Sequence, residues 1–263
     1  MSDAPVVVDR EDAVTTITLD DPAHRNALTV AAKVALRDAV ADAAADDGVR
    51  AVVLAGTARA FCLGQDLGEH AETLAQGPEA AFATVREHYS PVVRDLMTMP
   101  KPVVAAVAGT CVGAGLGLAL ACDHRVFGTG TKLATAFTGI GLTFDTGLSV
   151  TLPRAVGDAR AKELMLFGRT FSAQEAVAWG ISGEIVETEQ VLPRAVELAR
   201  ALAAGPTTAF AQSKRLIAQA PGRGLDDALD AEARAQLACG STTDHAAAVR
   251  SFLSREPAVF TGR

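Results

Sequence analysis

Two short segments carry residues that could do chemistry. The first is Ala60-Phe61-Cys62-Leu63-Gly64-Gln65-Asp66-Leu67 and the second is Gly109-Thr110-Cys111-Val112-Gly113-Ala114-Gly115-Leu116-Gly117. Each follows an apolar run, Val52-Val53-Leu54-Ala55 and Val103-Val104-Ala105-Ala106-Val107-Ala108, which reads as a buried strand. Glycine and alanine at such turns leave backbone N–H groups uncovered by side chains. Two N–H groups aimed at one point form an oxyanion hole, which stabilises negative charge developing on a carbonyl oxygen. The pair of turns therefore predicts an enzyme that passes a thioester or related acyl group through an enolate.

The order and spacing of these strings resemble the crotonase, or enoyl-CoA hydratase/isomerase, superfamily. The likeness begins at Asp21-Pro22-Ala23-His24-Arg25-Asn26-Ala27-Leu28 and passes through both turns. It continues in Leu152-Pro153-Arg154-Ala155-Val156-Gly157 and in the segment from Ser172 to Gly180. The resemblance implies an α/β fold, a spiral of strand-strand-helix repeats over residues 1–190. Residues 191–263 would be a C-terminal helical region forming a homotrimer or a dimer of trimers. It also implies an acyl-CoA thioester substrate whose carbonyl oxygen meets the Gln65 and Ala114 backbone N–H groups, with coenzyme A as part of the substrate and no separate cofactor.

Hydratases of that family hold and activate water with two glutamates. Here Gly117 and Phe137 stand at those positions, and neither moves a proton. The nearest carboxylate is Asp145, in Gly141-Leu142-Thr143-Phe144-Asp145-Thr146-Gly147. Phe137 followed by an acid eight residues on resembles the enoyl-CoA isomerase and ring-epoxide phenylacetyl-CoA isomerase subgroup. One carboxylate suffices there, because isomerisation has no net proton demand. Phe144 and Leu148 replace a smaller Pro and Gly usual in that subgroup, so the acyl pocket is expected to be reshaped. Two other readings of Asp145 stand beside this one. The first is a helix N-cap, since small residues and then Leu148-Ser149-Val150 follow it. The second is the ring-attacking nucleophile of the family's dehalogenases. They add a Trp and a His where this chain has Phe137 and Ser90, and His88 is about 200° round a helix from that face.

The resemblance places the substrate against Arg25, Ala27, Cys62, Gly64, Asp66, Leu67, Gly113, Phe137 and Leu142. Asp66 is expected to tie the first turn down by hydrogen bonds. Lys101, Lys214 and Arg255 join Arg25 as basic groups considered for the coenzyme phosphates. The rivals to an isomerase are hydration or thioester hydrolysis through the same enolate, and a catalytically silent acyl-CoA-binding homologue.

Composition fits this reading. A chain of 263 residues can bury a full core. The formal charge of −7, with no basic run, disfavours nucleic acid as a partner. Cys62, Cys111, Cys122 and Cys239 lack metal-type or paired spacing, so no metal site is expected and the thiols read as reduced and buried. No glycine-rich dinucleotide fingerprint follows the first strand. The start, Met1-Ser2-Asp3-Ala4-Pro5, lacks a leader pattern, and no apolar run is long enough to span a bilayer, so a cytoplasmic protein with no membrane partner is expected.

The positioning elements can be read coarsely. Val6-Val7-Val8 and Val14 to Leu19 read as strands around a turn at Asp12. Thr29 reads as the cap of a helix, and residues 69–79 as a mobile loop. A helix with Phe82, Val85, Tyr89, Val92 and Leu96 on one face is bent at Pro91. An all-apolar helix runs on from the second turn. Further on, Asp158 is expected to cap a helix ended by Gly168. Ser172 and Glu175 form a capping box, and three helices follow the short strand at 183–186.

Overall fold

The structure is a computed structural model that describes residues 4–263. Met1, Ser2 and Asp3, part of the stretch read for a leader, lie outside the described residues. Strand β1 (Val6–Glu11) turns at Asp12, φ 53°, into antiparallel β2 (Val14–Leu19). From there each turn of the chain contributes one strand to each of two sheets. The pairs are β3 (Ala51–Ala55) with β4 (Ala60–Cys62), β5 (Val103–Val107) with β6 (Thr110–Val112), and β7 (His124–Gly128) with β8 (Lys132–Ala134). The short strands β9 (Phe171–Ser172) and β10 (Glu184–Val186) finish them. The larger sheet has the order β1-β2-β3-β5-β7-β10 and the smaller β4-β6-β8-β9.

Period-2 alternation explains why β3 and β5 are apolar throughout: both faces of the sheet are covered. Val52, Leu54, Val103, Ala105 and Val107 face the main core with helices α1 (Val30–Ala45) and, across the residue-85 to residue-89 π-turn, α4 (Ser90–Thr98). Their neighbours Ala51, Val53, Ala55, Val104 and Ala106 face a second cluster with Val191, Ala195, Ala199 and Ala203. Those four lie every fourth residue along α9 (Val191–Ala203), so this helix packs on the sheet although it follows residue 190.

Several helices start where a side chain satisfies a free N–H group. Thr29 Oγ1 accepts from Ala32 N–H at 3.1 Å and starts α1. The stretch expected to be a mobile loop contains α2 (Leu67–Leu74), started by the Asp66 carboxylate, which accepts from Glu69 N–H at 2.9 Å. After Gly77 comes α3 (Pro78–Thr84), then a wide turn, Val85–Tyr89, in which Ser90 N–H reaches back to the Val85 carbonyl. Pro91 has no N–H to donate, and the wide turn together with Pro91 at the start of α4 replaces the expected bend. The all-apolar helix is α5 (Ala114–Ala121), fully buried.

Next come α6 (Leu148–Val156) and α7 (Asp158–Phe167), with Gly157 rather than Asp158 at the N-cap of the latter. The capping box of Ser172 and Glu175 starts α8 (Ala173–Ala178). After β10 there are four helices where three were expected: α9, α10 (Thr207–Gln219), α11 (Leu225–Gly240) and α12 (Thr243–Ser254). Arg50 holds this layer to the core, donating to Thr207 Oγ1 at 2.9 Å and to the Phe260 carbonyl at 3.2 Å. Among the described residues no helix is long and apolar enough to cross a membrane.

Candidate active site

The two glycine turns meet at the edge of the smaller sheet. The first is riveted from the Asp21-to-Leu28 loop. Buried Asn26 donates from Nδ2 to the Leu19 and Ala60 carbonyls at 2.9 and 2.8 Å, and Leu28 N–H donates to the Gly64 carbonyl at 2.7 Å. The second turns at Gly113, whose N–H donates to the Ala134 carbonyl, and α5 begins at the next residue. A Cβ on residue 64 would lie 3.3 Å from Ala114 N and 3.2 Å from the Val112 carbonyl oxygen, on a backbone with φ +80°. Glycine at 64 therefore keeps the Ala114 N–H uncovered. Among the described residues neither Gln65 N–H nor Ala114 N–H has an intramolecular acceptor.

The N-terminus of α5 adds the positive end of its dipole at this point. Its C-terminus is neutralised by buried Arg125, which donates to the Ala119 and Cys122 carbonyls at 3.2 and 2.8 Å.

These turns open on a cavity of about 190 Å³. Gly64, Gln65, Leu67, Gly113, Ala114, Phe137, Leu142 and Asp145 all line it, and Asp145 is its one carboxylate. The Oδ1 atom of Asp145 is buried and has no hydrogen-bond partner. Burial pushes its pKa from 3.8 up to about 6, opposed in part by the Thr146 hydroxyl beside it. The carboxylate is not a helix cap. Gly147 occupies the N-cap of α6 without a side-chain bond, and only the Asp145 backbone carbonyl accepts, from Leu148 N–H at 3.1 Å.

The two residues standing at the hydratase glutamate positions are built into the fold. A Cβ on Gly117 would fall 1.9 Å from Thr146 Oγ1 and 2.5 Å from its Cβ. Thr146, at φ +46°, fills the space a longer side chain would need. Phe137 is buried and meets Phe144 edge-to-face, ring centroids 6.0 Å apart. Phe144 does not line the cavity; it braces the ring that does.

Other expected residues lie elsewhere. Cys62 is fully buried beneath the turn, where burial pushes its thiol up to about 12 and makes it a poor nucleophile. Asp66 is the α2 cap and stands outside the lining, as do Ala27 and the exposed Arg25, φ +54°. Lys101 is buried and donates to the Ala43 and Asp46 carbonyls at the end of α1. Lys214 pairs with Asp123 at 2.8 Å, so both serve the fold. Arg255 is an exposed residue at the end of α12. His88 bonds to Thr84 Oγ1 and does not line the cavity.

The sequence reading missed Tyr89, His70 and Phe82 as lining residues. The helical spacing of Phe82 and Tyr89 marked them as core, and only the fold turns that face toward Asp145. Among the described residues no group of three or more His, Cys, Asp or Glu side chains could hold a metal.

The Enoyl-CoA hydratase/isomerase family model matches residues 9–263. The chain belongs to that family. This enoyl-CoA hydratase/isomerase family enzyme is 35% identical over 254 residues to 1,2-epoxyphenylacetyl-CoA isomerase of Escherichia coli K12, covering 96% of this chain and 97% of the other. It is 38% identical over 252 residues to a Rhodobacter capsulatus protein named as an enoyl-CoA hydratase, covering 96% of each. A crystal structure of an enoyl-CoA hydratase/isomerase-type protein from Mycobacterium abscessus superposes with a TM-score of 0.94 at 44% identity, covering 98% of this chain and all of that one. The relatives' names divide among isomerase, hydratase and dehalogenase, so the reaction of this family member is argued from its own site.

Proposed function

We propose that this enzyme is an acyl-CoA isomerase that shifts a double bond or rearranges an acyl group through a thioester enolate. The observation that carries the reading is one carboxylate, Asp145, whose buried Oδ1 has no partner, in an apolar cavity lined by two residues with free backbone N–H groups. Gln65 and Ala114 N–H would receive the thioester oxygen as negative charge builds on it. Asp145, raised to about 6, is largely ionised at neutral pH yet basic enough to take a proton from carbon, and its acid form returns one to another carbon. Hydration needs a water that a second carboxylate holds. No second carboxylate lines the cavity, and Thr146 fills the space beside Gly117.

A cavity of about 190 Å³ suits a short or ring-sized acyl group; an engineered apolar cavity of about 150 Å³ holds benzene. The test is a panel of 2-enoyl, 3-enoyl and ring-acyl CoA thioesters followed by mass spectrometry and chromatography. The expected product has the substrate's mass and a new retention time. A gain of one water at rates on the order of 10 per second would overturn the isomerase reading.

A further inference from the structure

A buried polar cluster centres on the Gln65 side chain of the first turn, and the chemistry above does not use it. Lys33, on α1, is 3% exposed, and so is Tyr89, at the end of the wide turn before α4. Both converge on one atom. Lys33 Nζ donates to Gln65 Oε1 at 3.3 Å, and the Tyr89 hydroxyl donates to the same oxygen. The ammonium also sits over the Tyr89 ring, 5.9 Å from its centroid. Among the described residues Lys33 makes no ion pair within 4.0 Å. Burial pushes its pKa down, and the negative charges of Glu69 and Asp66 oppose that only from farther away.

An unpaired buried ammonium is costly, and an apolar side chain of the same length would fill the space at lower cost. Its position suggests what offsets that cost. Gln65 lines the cavity with a backbone N–H that has no acceptor, and its side-chain oxygen is pinned by these two donors. A positive charge in a region poor in water acts strongly on charge developing nearby. Tyr89 joins the cluster to the base: its ring lines the cavity with Asp145, and its phenol feels that carboxylate's charge.

We propose that Lys33 and Tyr89 are positioning residues for enolate formation: they clamp the Gln65 side chain, fix the oxyanion donor, and hold a buried ammonium against that side chain. This rests on the enolate reading of the site. The clamp acts on the step that builds negative charge, so it changes kcat more than substrate affinity.

The test uses the full-length protein with Lys33→Met, which keeps length and removes charge, and Tyr89→Phe, which keeps the ring and removes one donor. Three readouts are compared with the wild type. They are exchange of the α-proton of a saturated acyl-CoA in D2O, the dissociation constant of that thioester, and the absorption band of bound cinnamoyl-CoA. That band moves to longer wavelength when its carbonyl is polarised.

The expected result for Lys33→Met is an exchange rate lowered roughly tenfold or more, affinity held within about threefold, and a smaller band shift. Tyr89→Phe changes in the same direction by less and serves alone if Lys33→Met does not fold. Wild-type exchange rates and band shift in the folded variants, or lost affinity with kcat intact, would overturn the proposal. If the wild type exchanges no α-proton from any CoA thioester, the enolate reading itself falls and the clamp with it. Wild-type exchange with unchanged variants removes the clamp alone.

Discussion

At the scale of single residues the proposed chemistry turns on Asp145. Asn has nearly its size and cannot shuttle a proton, so Asp145→Asn is expected to lower isomerase turnover roughly 10²–10⁴-fold while thioester binding persists. Steady-state kinetics beside calorimetry separates the two. The same substitution should stabilise the fold. The folded pKa of about 6 lies above the ordinary 3.8, so the native state favours the protonated form. That stabilising contribution is full below pH 4 and is lost as pH rises through 6. Relief of the penalty is worth roughly 2–3 kcal/mol at neutral pH. Asp145→Asn should therefore melt above wild type at pH 8, with the gap closing toward pH 4; equal melting across that range would contradict the burial argument. Activity moves oppositely. A base must be ionised, so kcat/KM is expected to climb with pH up to about 6 and then level off. A profile flat from pH 5 to 8 would exclude Asp145 as the base.

At the scale of elements, the proposed reaction depends on how closely two turns approach. Gly64→Ala would put a methyl group beside Ala114 N on a left-handed backbone. Strain there costs about 1–2 kcal/mol, and covering the N–H should cost roughly 10²-fold or more in turnover. A variant that melts lower but turns over as wild type would show that the Ala114 donor is idle. A second contact tests the blocked glutamate position. Gly117→Ala should destabilise by roughly 1–3 kcal/mol, because its methyl meets Thr146. Thr146→Gly in the same chain should recover most of that loss in a double-mutant cycle. Additive losses would mean the two sites do not touch.

These elements also show what the sequence could convey. The apolar runs of β3 and β5, the Thr29 cap and the Ser172–Glu175 box are written within a few residues, and all were legible. Helix α2 was not: it is about two turns long and buries no residue, so Leu67, Ala71 and Leu74 are too few to mark it. The Lys33–Gln65–Tyr89 cluster joins positions 32 and 24 residues apart, and Gly117 meets Thr146 across the end of another helix. No local pattern encodes such pairings. Asp145 was legible as a site residue only through resemblance. Its isolation from any capping role depends on Gly147 taking the cap, which cap-favouring residue types alone did not reveal.

At the scale of the whole molecule the C-terminal layer is unevenly covered. Helix α9 is absorbed into the sheet's second core, but α10 to α12 leave large apolar side chains in solvent: Ile217, Leu237, Phe252 and Leu253 are 74%, 73%, 84% and 76% exposed. Single exposed apolar residues are ordinary, whereas several on one helical layer mark an interaction surface. The resemblance read from the sequence implies a partner for this layer, a second and third copy of the chain. Closed rotational symmetry would bury the same patches on every copy. We propose a trimer, or two trimers back to back. Light scattering at micromolar concentration is expected to give three or six times the chain's mass. Phe252→Asp combined with Leu253→Asp should shift the distribution toward smaller species, because each introduces a charge that would have to be desolvated in the contact. A monomer in the unmodified protein, or an assembly indifferent to both charges, would show that these residues are not what holds the copies together.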